Sequence, residues 1–481
     1  MLTRLEADGF KNLLDFKVDF GPFTCIAGPN GVGKSNIFDA LRFLSLLAEF
    51  PFTEAVKRVR GTDPNSFDPR DLFWNDGHHY ANQMTFSVEM IVGQEVTDDF
   101  GRTAKATSTF LRYELALAYE EASQRGELGR LRLQRESLVH INKGDAHKHL
   151  HFDMNAAEFR DRIIQNNRSG TAYISSNTLD DGSVAISIHG DGGSRGPARK
   201  VAATHAPRTM IGTLNEASTP TVLAAKREMQ NWRFLALEPS AMRQPDPFTA
   251  TTQVVTISDR GAHLPATLHR IATSYAEDES TFYKEIAARL AKLMPIRELS
   301  VDVDEVRQLL SIRATEQSGL TVSAHSLSDG TLRFLALAIL SATPQAPPLI
   351  CMEEPENGIH PATLPAMVDL LQDIAVDPKQ PPSPENPLRQ VIIATHSPHL
   401  VQLMYEDDIL VARTPAVRQA NNTIARALEL RPLTNTWRAK HNGHTAESLA
   451  VLENYLVNPS GTPFQLRLER LTTALVQSRG S

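Results

Sequence analysis

Four short segments of this chain carry residue types suited to holding and cutting nucleotide phosphates, and they span about 370 residues. The first is Gly28-Pro29-Asn30-Gly31-Val32-Gly33-Lys34-Ser35, followed by Asn36, and it fits G-x-x-x-x-G-K-S. Glycines at such spacing let backbone N–H groups wrap phosphate oxygens. Lys34 would reach the β- and γ-phosphates, and the Ser35 hydroxyl would bind Mg²⁺. Another segment, Leu349-Ile-Cys-Met-Glu353-Glu354, is an apolar run ending in two carboxylates. Glu353 suits a Mg²⁺ ligand acting through a water, and Glu354 suits a base that orients or deprotonates an attacking water.

The two remaining segments each support two readings. Ser326-Leu-Ser-Asp-Gly-Thr331 precedes an apolar helical run, so Ser328 and Asp329 read as a helix cap. The same physics gives Ser328 and Gly330 a second role, because a helix start rich in serine and glycine offers donors to an anion. Ile392-Ile-Ala-Thr-His396 ends in an imidazole that either contacts a γ-phosphate or is a satisfied core histidine.

These residues need strands and helices to aim them. Phe23–Ala27 reads as a short buried strand running into the glycine loop, and Asn36 to about Glu49 reads as a helix with Ile37, Leu41, Leu44 and Ala48 on one face. Strands are expected at Leu2–Ala7, Leu14–Phe20, Met84–Val92, Leu111–Tyr119 and Leu131–Ile141, the last three forming an antiparallel sheet. Residues 155–230 are less regular and turn-rich, at Leu179–Gly182 and Gly190–Gly196, and read as an inserted subdomain or arm. An amphipathic helix is expected over Ser280–Met294, and an α/β alternation from Ser326 on, with strands at 349–352 and 391–394. Asp377–Pro387 is proline-rich and reads as a surface loop. No heptad pattern persists, so no long coiled coil is expected.

The chain has 481 residues, room for two or three domains, and a net charge of −7, which argues against wholesale coating by nucleic acid. No apolar run is long enough to cross a membrane, and the first residues lack a signal-peptide pattern. Cys25 and Cys351 lie in apolar runs and read as reduced core residues of a cytoplasmic protein.

Taken together, Leu5-Glu-Ala-Asp-Gly-Phe-Lys-Asn12, Gly28–Asn36, Leu327-Ser-Asp-Gly-Thr331 and Glu353-Glu-Pro-Glu-Asn-Gly-Ile-His-Pro361 resemble the ABC-type ATPase heads of the SMC, RecF and overcoming-lysogenization-defect group, especially stand-alone prokaryotic members. The resemblance covers about 1–95 and 320–412 well and the middle weakly. It implies an α/β fold: a head with a mixed sheet around the phosphate loop, an antiparallel β subdomain and an inserted α/β arm. The implied division is 1–154 and 320–415 for the two parts of the head, 155–319 for the insertion and 416–481 for a tail. In that group two heads sandwich two ATP molecules with Mg²⁺, so Ser328 and Gly330 of one subunit would face the nucleotide held by Lys34 of another, and His396 would sense the γ-phosphate. A homodimer or higher even oligomer is therefore expected.

Three departures stand out. Glu353 replaces the usual Asp, Asp329 replaces the first glycine of the signature, and the glutamine that senses Mg²⁺ is not assigned among Gln83, Gln94 and Gln134. Small heads without long arms resemble components of antiphage systems that act with a separate nuclease-type effector. About 70 residues follow Arg413, too few for a Toprim nuclease, so any nuclease is expected in trans. The alternatives are a repair ATPase binding DNA ends or gaps, through arginines such as Arg125, Arg130, Arg132, Arg135, Arg195 and Arg199 with Lys200, and a transporter subunit. The roughly 290 residues between Lys34 and Ser328 argue against the transporter. His147, His149 and His151 fall on one face of an expected strand, with His140 nearby, as a weak metal-site candidate.

Overall fold

A computed structural model describes residues 1–448 except 60–67, 123–128, 169, 171, 181–182, 193–198, 204, 254–255, 275–277, 292–295, 344–346, 419–423 and 442–445. Two kinds of strand sequence build two main sheets. Alternating strands form an antiparallel sheet, and near-continuous apolar runs form a parallel one covered on both faces.

The chain opens with β1 (Leu2–Asp8) and β2 (Phe16–Asp19), an antiparallel pair, then β3 (Phe23–Ala27), the glycine loop and helix α1 (Lys34–Leu47). It continues through β4 (Gln83–Ile91), β5 (Phe110–Glu120), β6 (Arg130–His140), β7 (Ile174–Thr178), β8 (Val184–Ile188) and β9 (Arg199–Ala202). Helix α2 (Pro220–Gln230) and β10 (Trp232–Leu235) follow. Next come helices α3 (Leu264–Ser274) and α4 (Glu279–Ala291) and the hairpin of β11 (Ile296–Asp304) and β12 (Leu309–Glu316). The last part holds α5 (Asp329–Ala342), β13 (Leu349–Glu353), α6 (Leu364–Ile374), β14 (Gln390–Thr395), β15 (Ile409–Arg413) and β16 (Glu429–Pro432).

One sheet has eight strands in the order β9-β8-β7-β6-β5-β4-β1-β2, and its named pairings are antiparallel. The other has six in the order β10-β13-β14-β3-β15-β16, parallel except for β16. Along each central parallel strand the side chains divide between two cores. Leu349, Cys351, Ile392, Ala394, Leu410 and Ala412 face α1, α2 and the antiparallel sheet. Ile350, Met352, Val391, Ile393, Ile409 and Val411 face α3, α4, α5 and α6. Fully burying one such side chain stabilises the fold by about 1.5–3 kcal/mol, which explains why these runs tolerate no polar residue except where a partner waits. Thr24, on β3, has that partner: Arg438 Nη2 donates to its hydroxyl at 2.8 Å.

The expected strands and helices recur with shifts of a residue or two, and α4 matches the described part of Ser280–Met294. The division into parts differs. Strands β7, β8 and β9 lie beyond residue 154 yet extend the antiparallel sheet, because Val184, Ile186 and Ile188 continue its buried face. Strand β10, inside the expected insertion, forms an edge of the parallel sheet against β13. Residues 416–481 lie largely outside the described residues, as do Arg125 and Arg195. No described helix exceeds 14 residues, so no long coiled coil is present among the described residues. Among them no helix is long and apolar enough to cross a membrane. Cys25 and Cys351 are buried and free, and burial pushes both thiols up.

Candidate nucleotide site

Three parallel strands end side by side. Glu353 pairs with Ala394 and Thr395 with Ala27, so the two carboxylates, His396 and the glycine loop all leave the sheet at one edge. Two backbone bonds close that edge: Gly28 N–H donates to Thr395 O at 3.1 Å and Glu354 N–H to Ala394 O at 2.8 Å. This is the end of a parallel sheet where ligands bind.

The loop itself is held from the side. Gly33 has φ +96°, and a Cβ there would fall 2.1 Å from Asn12 Nδ2. Asn12 donates to Val32 O at 3.0 Å and accepts from Asn36 Nδ2 at 2.7 Å, so one side chain templates both ends of the turn. Gly28 faces Ala412, whose Cβ would lie 2.8 Å from an added Cβ. Pro29, Asn30 and Gly31 are exposed, Val32 is buried, and no side chain caps the start of α1. Lys34 is buried and donates to Gly28 O at 2.7 Å and Pro29 O at 3.0 Å. Burial lowers its pKa, against the pull of Glu354, Glu353 and Glu356, which favour the charged form.

Ser35 Oγ donates to Glu353 Oε2 at 2.8 Å. The hydroxyl and the carboxylate thus converge, as a direct and a water-mediated ligand of one Mg²⁺ would. Glu354 follows with φ +48°, an uncommon conformation for a non-glycine residue that turns its side chain back over the edge. His396 Nδ1 lies 2.5 Å from Glu354 Oε2. Glu356 accepts a hydrogen bond from Thr395 Oγ1. Burial pushes its carboxyl up to about 7, with Glu354 adding to the rise. Ligand atoms of Glu354, Glu356 and His396 all lie within 4.8 Å of one another.

Ser328 caps α5 as the cap reading required: its Oγ accepts from Thr331 N–H at 3.2 Å and lies 2.6 Å from Thr331 Oγ1. Ser328 and Asp329 are nevertheless exposed. Gly330 packs on Gly358 and Ile359, just beyond the carboxylate strand, with Gly358 O 3.2 Å from an added Cβ. Arg243 Nη2 donates to Asp329 Oδ1 at 2.7 Å and to Leu327 O at 2.9 Å.

Other expected residues scatter. Gln83 and Gln134 line a groove on the antiparallel sheet with Glu6, Asp8 and Arg112, and Gln94 lies in a connection beyond β4. The histidines do not share a strand face, because Lys143–Lys148 turns into a 3₁₀ helix. His149 Nδ1 meets Glu89 at 2.9 Å, His151 stacks on His441, and His140 lies edge-on to Tyr173. Arg130 and Arg135 pair with Glu120 and Glu114, while Arg199 and Lys200 are exposed on the outermost strand. Sequence reasoning missed Asn12, Arg243 and Glu356. Only Glu356 left a signal, a third carboxylate in Glu353-Glu-Pro-Glu356.

Residues 4–173 match the family described as "AAA domain", and residues 247–402 match "AAA domain, putative AbiEii toxin, Type IV TA system". The chromosome partition protein Smc of Lactiplantibacillus plantarum is 49% identical over 63 residues, which is 13% of this chain and 5% of that protein. Among solved structures the chain is similar to an Smc head bound to the C-winged helix domain of ScpA, at 14% identity and a TM-score of 0.44, covering 90% of this chain and 98% of that one. It is also similar to the SMC head domain of Thermotoga maritima, at 13% identity and a TM-score of 0.36, covering 90% and 98%.

Proposed function

We propose that the chain carries an ABC-type ATPase head of the SMC group and is an ATP-hydrolysing switch that closes as a dimer and controls a separate effector of nuclease type in antiphage defence. One observation carries the switch reading. Lys34, the Ser35–Glu353 pair and the Glu354–His396 pair meet at one sheet edge, whereas Ser328 bonds none of them and is exposed at the start of α5. The chain thus holds one half of a composite site and presents the other half outward. The AbiEii description of the matched family, a type IV toxin–antitoxin term, supports the defence context.

When bound, ATP would supply the phosphoanhydride bond, and Mg²⁺ would offset the charge that builds up on it. Gly28 to Asn36 shape the phosphate cradle, and Lys34, poised on loop carbonyls, brings the positive charge. Ser35 would hold the metal directly and Glu353 would hold it through a water. Glu354 takes the proton of the attacking water, and His396, beside its Oε2, fixes that carboxylate and reports the γ-phosphate. Ser328 and Gly330 of a second copy complete the site.

Particle mass with and without ATP·Mg²⁺ tests this, for the wild type and Glu354→Gln. The expected result is an ATP-dependent dimer that the variant traps while its turnover falls by about 10²-fold or more. A pull-down from the trapped dimer should then retrieve the effector. Mass indifferent to nucleotide, together with normal hydrolysis by Glu354→Gln, would refute both the composite site and the base assignment.

A further inference from the structure

Asp329 poses an electrostatic problem. It lies in the first turn of α5, where a carboxylate favours its own helix, yet it occupies the face that must approach a phosphate. Arg243 answers it. Its guanidinium grips both Asp329 Oδ1 and Leu327 O, tying the carboxylate to the turn that carries Ser328. The segment bearing Arg243 is anchored independently, since Asp246 bonds His263 Nδ1 at 2.9 Å and accepts from Ala266 N–H at 3.0 Å. Fold stability alone does not account for the pair. Asp329 is 54% exposed at its side chain, and exposed ion pairs contribute little to the folded state. The pair gains strength only once another surface covers it and water leaves. Arg333, one turn along α5, is a second cation in the field of Asp329, but its buried Nε makes no hydrogen bond and its guanidinium lies toward Gly358.

We propose that Arg243 is a positioning residue of the composite site, neutralising Asp329 so that the Ser328–Gly330 face can meet the phosphates held by a second copy of this chain. The inference rests on the dimeric switch reading.

The test uses the full chain with Glu354→Gln as parent, adding Arg243→Ala, Asp329→Gly or both. The dimer dissociation constant is measured in ATP·Mg²⁺, and nucleotide binding by the monomer is followed with a fluorescent ATP analogue. Arg243→Ala should weaken the dimer about tenfold or more while leaving monomer binding unchanged. Asp329→Gly in the same chain should restore the dimer to within about twofold, because no charge then needs balancing. Arg243→Lys, which keeps the charge, should stay nearer the parent, whereas Arg243→Gln keeps a donor without the charge, should weaken the dimer as alanine does, and serves as the measurement should the alanine variant fail to fold. An Arg243→Ala or Arg243→Gln dimer as tight as the parent overturns the inference. So does a double variant as weak as Arg243→Ala, which would make Arg243 a phosphate ligand in its own right. A parent that ignores ATP refutes the composite site itself, and the role of Arg243 with it.

Discussion

The phosphate-loop edge and the start of α5 are built on opposite principles. At the loop edge the charged and hydroxyl side chains lean on partners inside the chain: Lys34 on two carbonyls, Ser35 on Glu353, Glu354 on His396 and Glu356 on Thr395. At the start of α5, Ser328 and Asp329 stand exposed with few anchors beyond Thr331 and Arg243. The first region is preorganised, so its shape is determined before a ligand arrives. The second is a surface awaiting a complement. A substitution in one should damage a property of the single chain, and a substitution in the other a property of the pair.

Ser328→Arg is the sharpest way to break that contrast. Overpacking a contact face costs roughly 1–3 kcal/mol, and a lost hydrogen bond to a charged group roughly 1.5–3 more, so the ATP-dependent dimer should weaken at least about 100-fold. The monomer should lose only about 1 kcal/mol with the helix cap. Equilibrium sedimentation and thermal unfolding of one preparation separate the two, and a monomer that loses nucleotide binding as well would erase the distinction.

Gly33→Ala attacks the preorganised region. The left-handed backbone costs about 1–2 kcal/mol in an alanine, and the Cβ would collide with Asn12 besides. ATP affinity should fall about 30-fold or more by fluorescent-analogue titration, a figure that combines this backbone cost with the clash. Gly31→Ala has the same left-handed backbone but open space around it, and should lose about tenfold. Equal losses would mean that Asn12 does not template the loop.

Glu356 sharpens the comparison through pH. Its carboxyl is raised from 4.5 to about 7, so the folded chain holds that proton more tightly than the unfolded chain does. Its contribution to stability is complete below pH 4.5 and is lost as pH rises through about 7. Urea unfolding at several pH values between 5 and 8.5 should show this decline, at most about 3 kcal/mol at about 1.4 kcal/mol per pH unit. Glu356→Gln should flatten it, and an unchanged slope would assign the titration elsewhere. The smallest effect is expected of Gly330→Ala, with Gly358 O 3.2 Å from the new Cβ. Helix propensity gains about 1 kcal/mol and the close contact offsets it, so unfolding should stay within about 1 kcal/mol of wild type.

Much of this was legible in the sequence, for physical reasons. A strand buried on both faces must be nearly all apolar, so Phe23–Ala27, Leu349–Met352 and Val391–Ala394 announce themselves. Turn conformations that need glycine mark the loop. The order of the strands is another matter, because parallel neighbours are chosen by packing between segments hundreds of residues apart. Strands β7 and β8 were hidden by their brevity: Leu179-Asp-Asp-Gly182 joins two five-residue strands, yet reads as irregular chain. The alternation of His147–His151 misleads because this segment is no strand: it begins inside the 3₁₀ helix Lys143–Lys148. Asn12, Arg243 and Glu356 act through partners brought close only by folding, namely Val32, Asp329 and Thr395.

Asn12 also bears on how such a chain can be inherited. The same residue that supports Gly33 accepts a backbone bond from Leu428 N–H at 2.9 Å, and its neighbour Lys11 pairs with Asp39 of α1 at 2.9 Å. A recombination breakpoint anywhere between residues 12 and 33 would join a loop to a scaffold it did not evolve on. The first dozen residues and the glycine loop therefore form one heritable block, and chimaeras between relatives should be cut outside it.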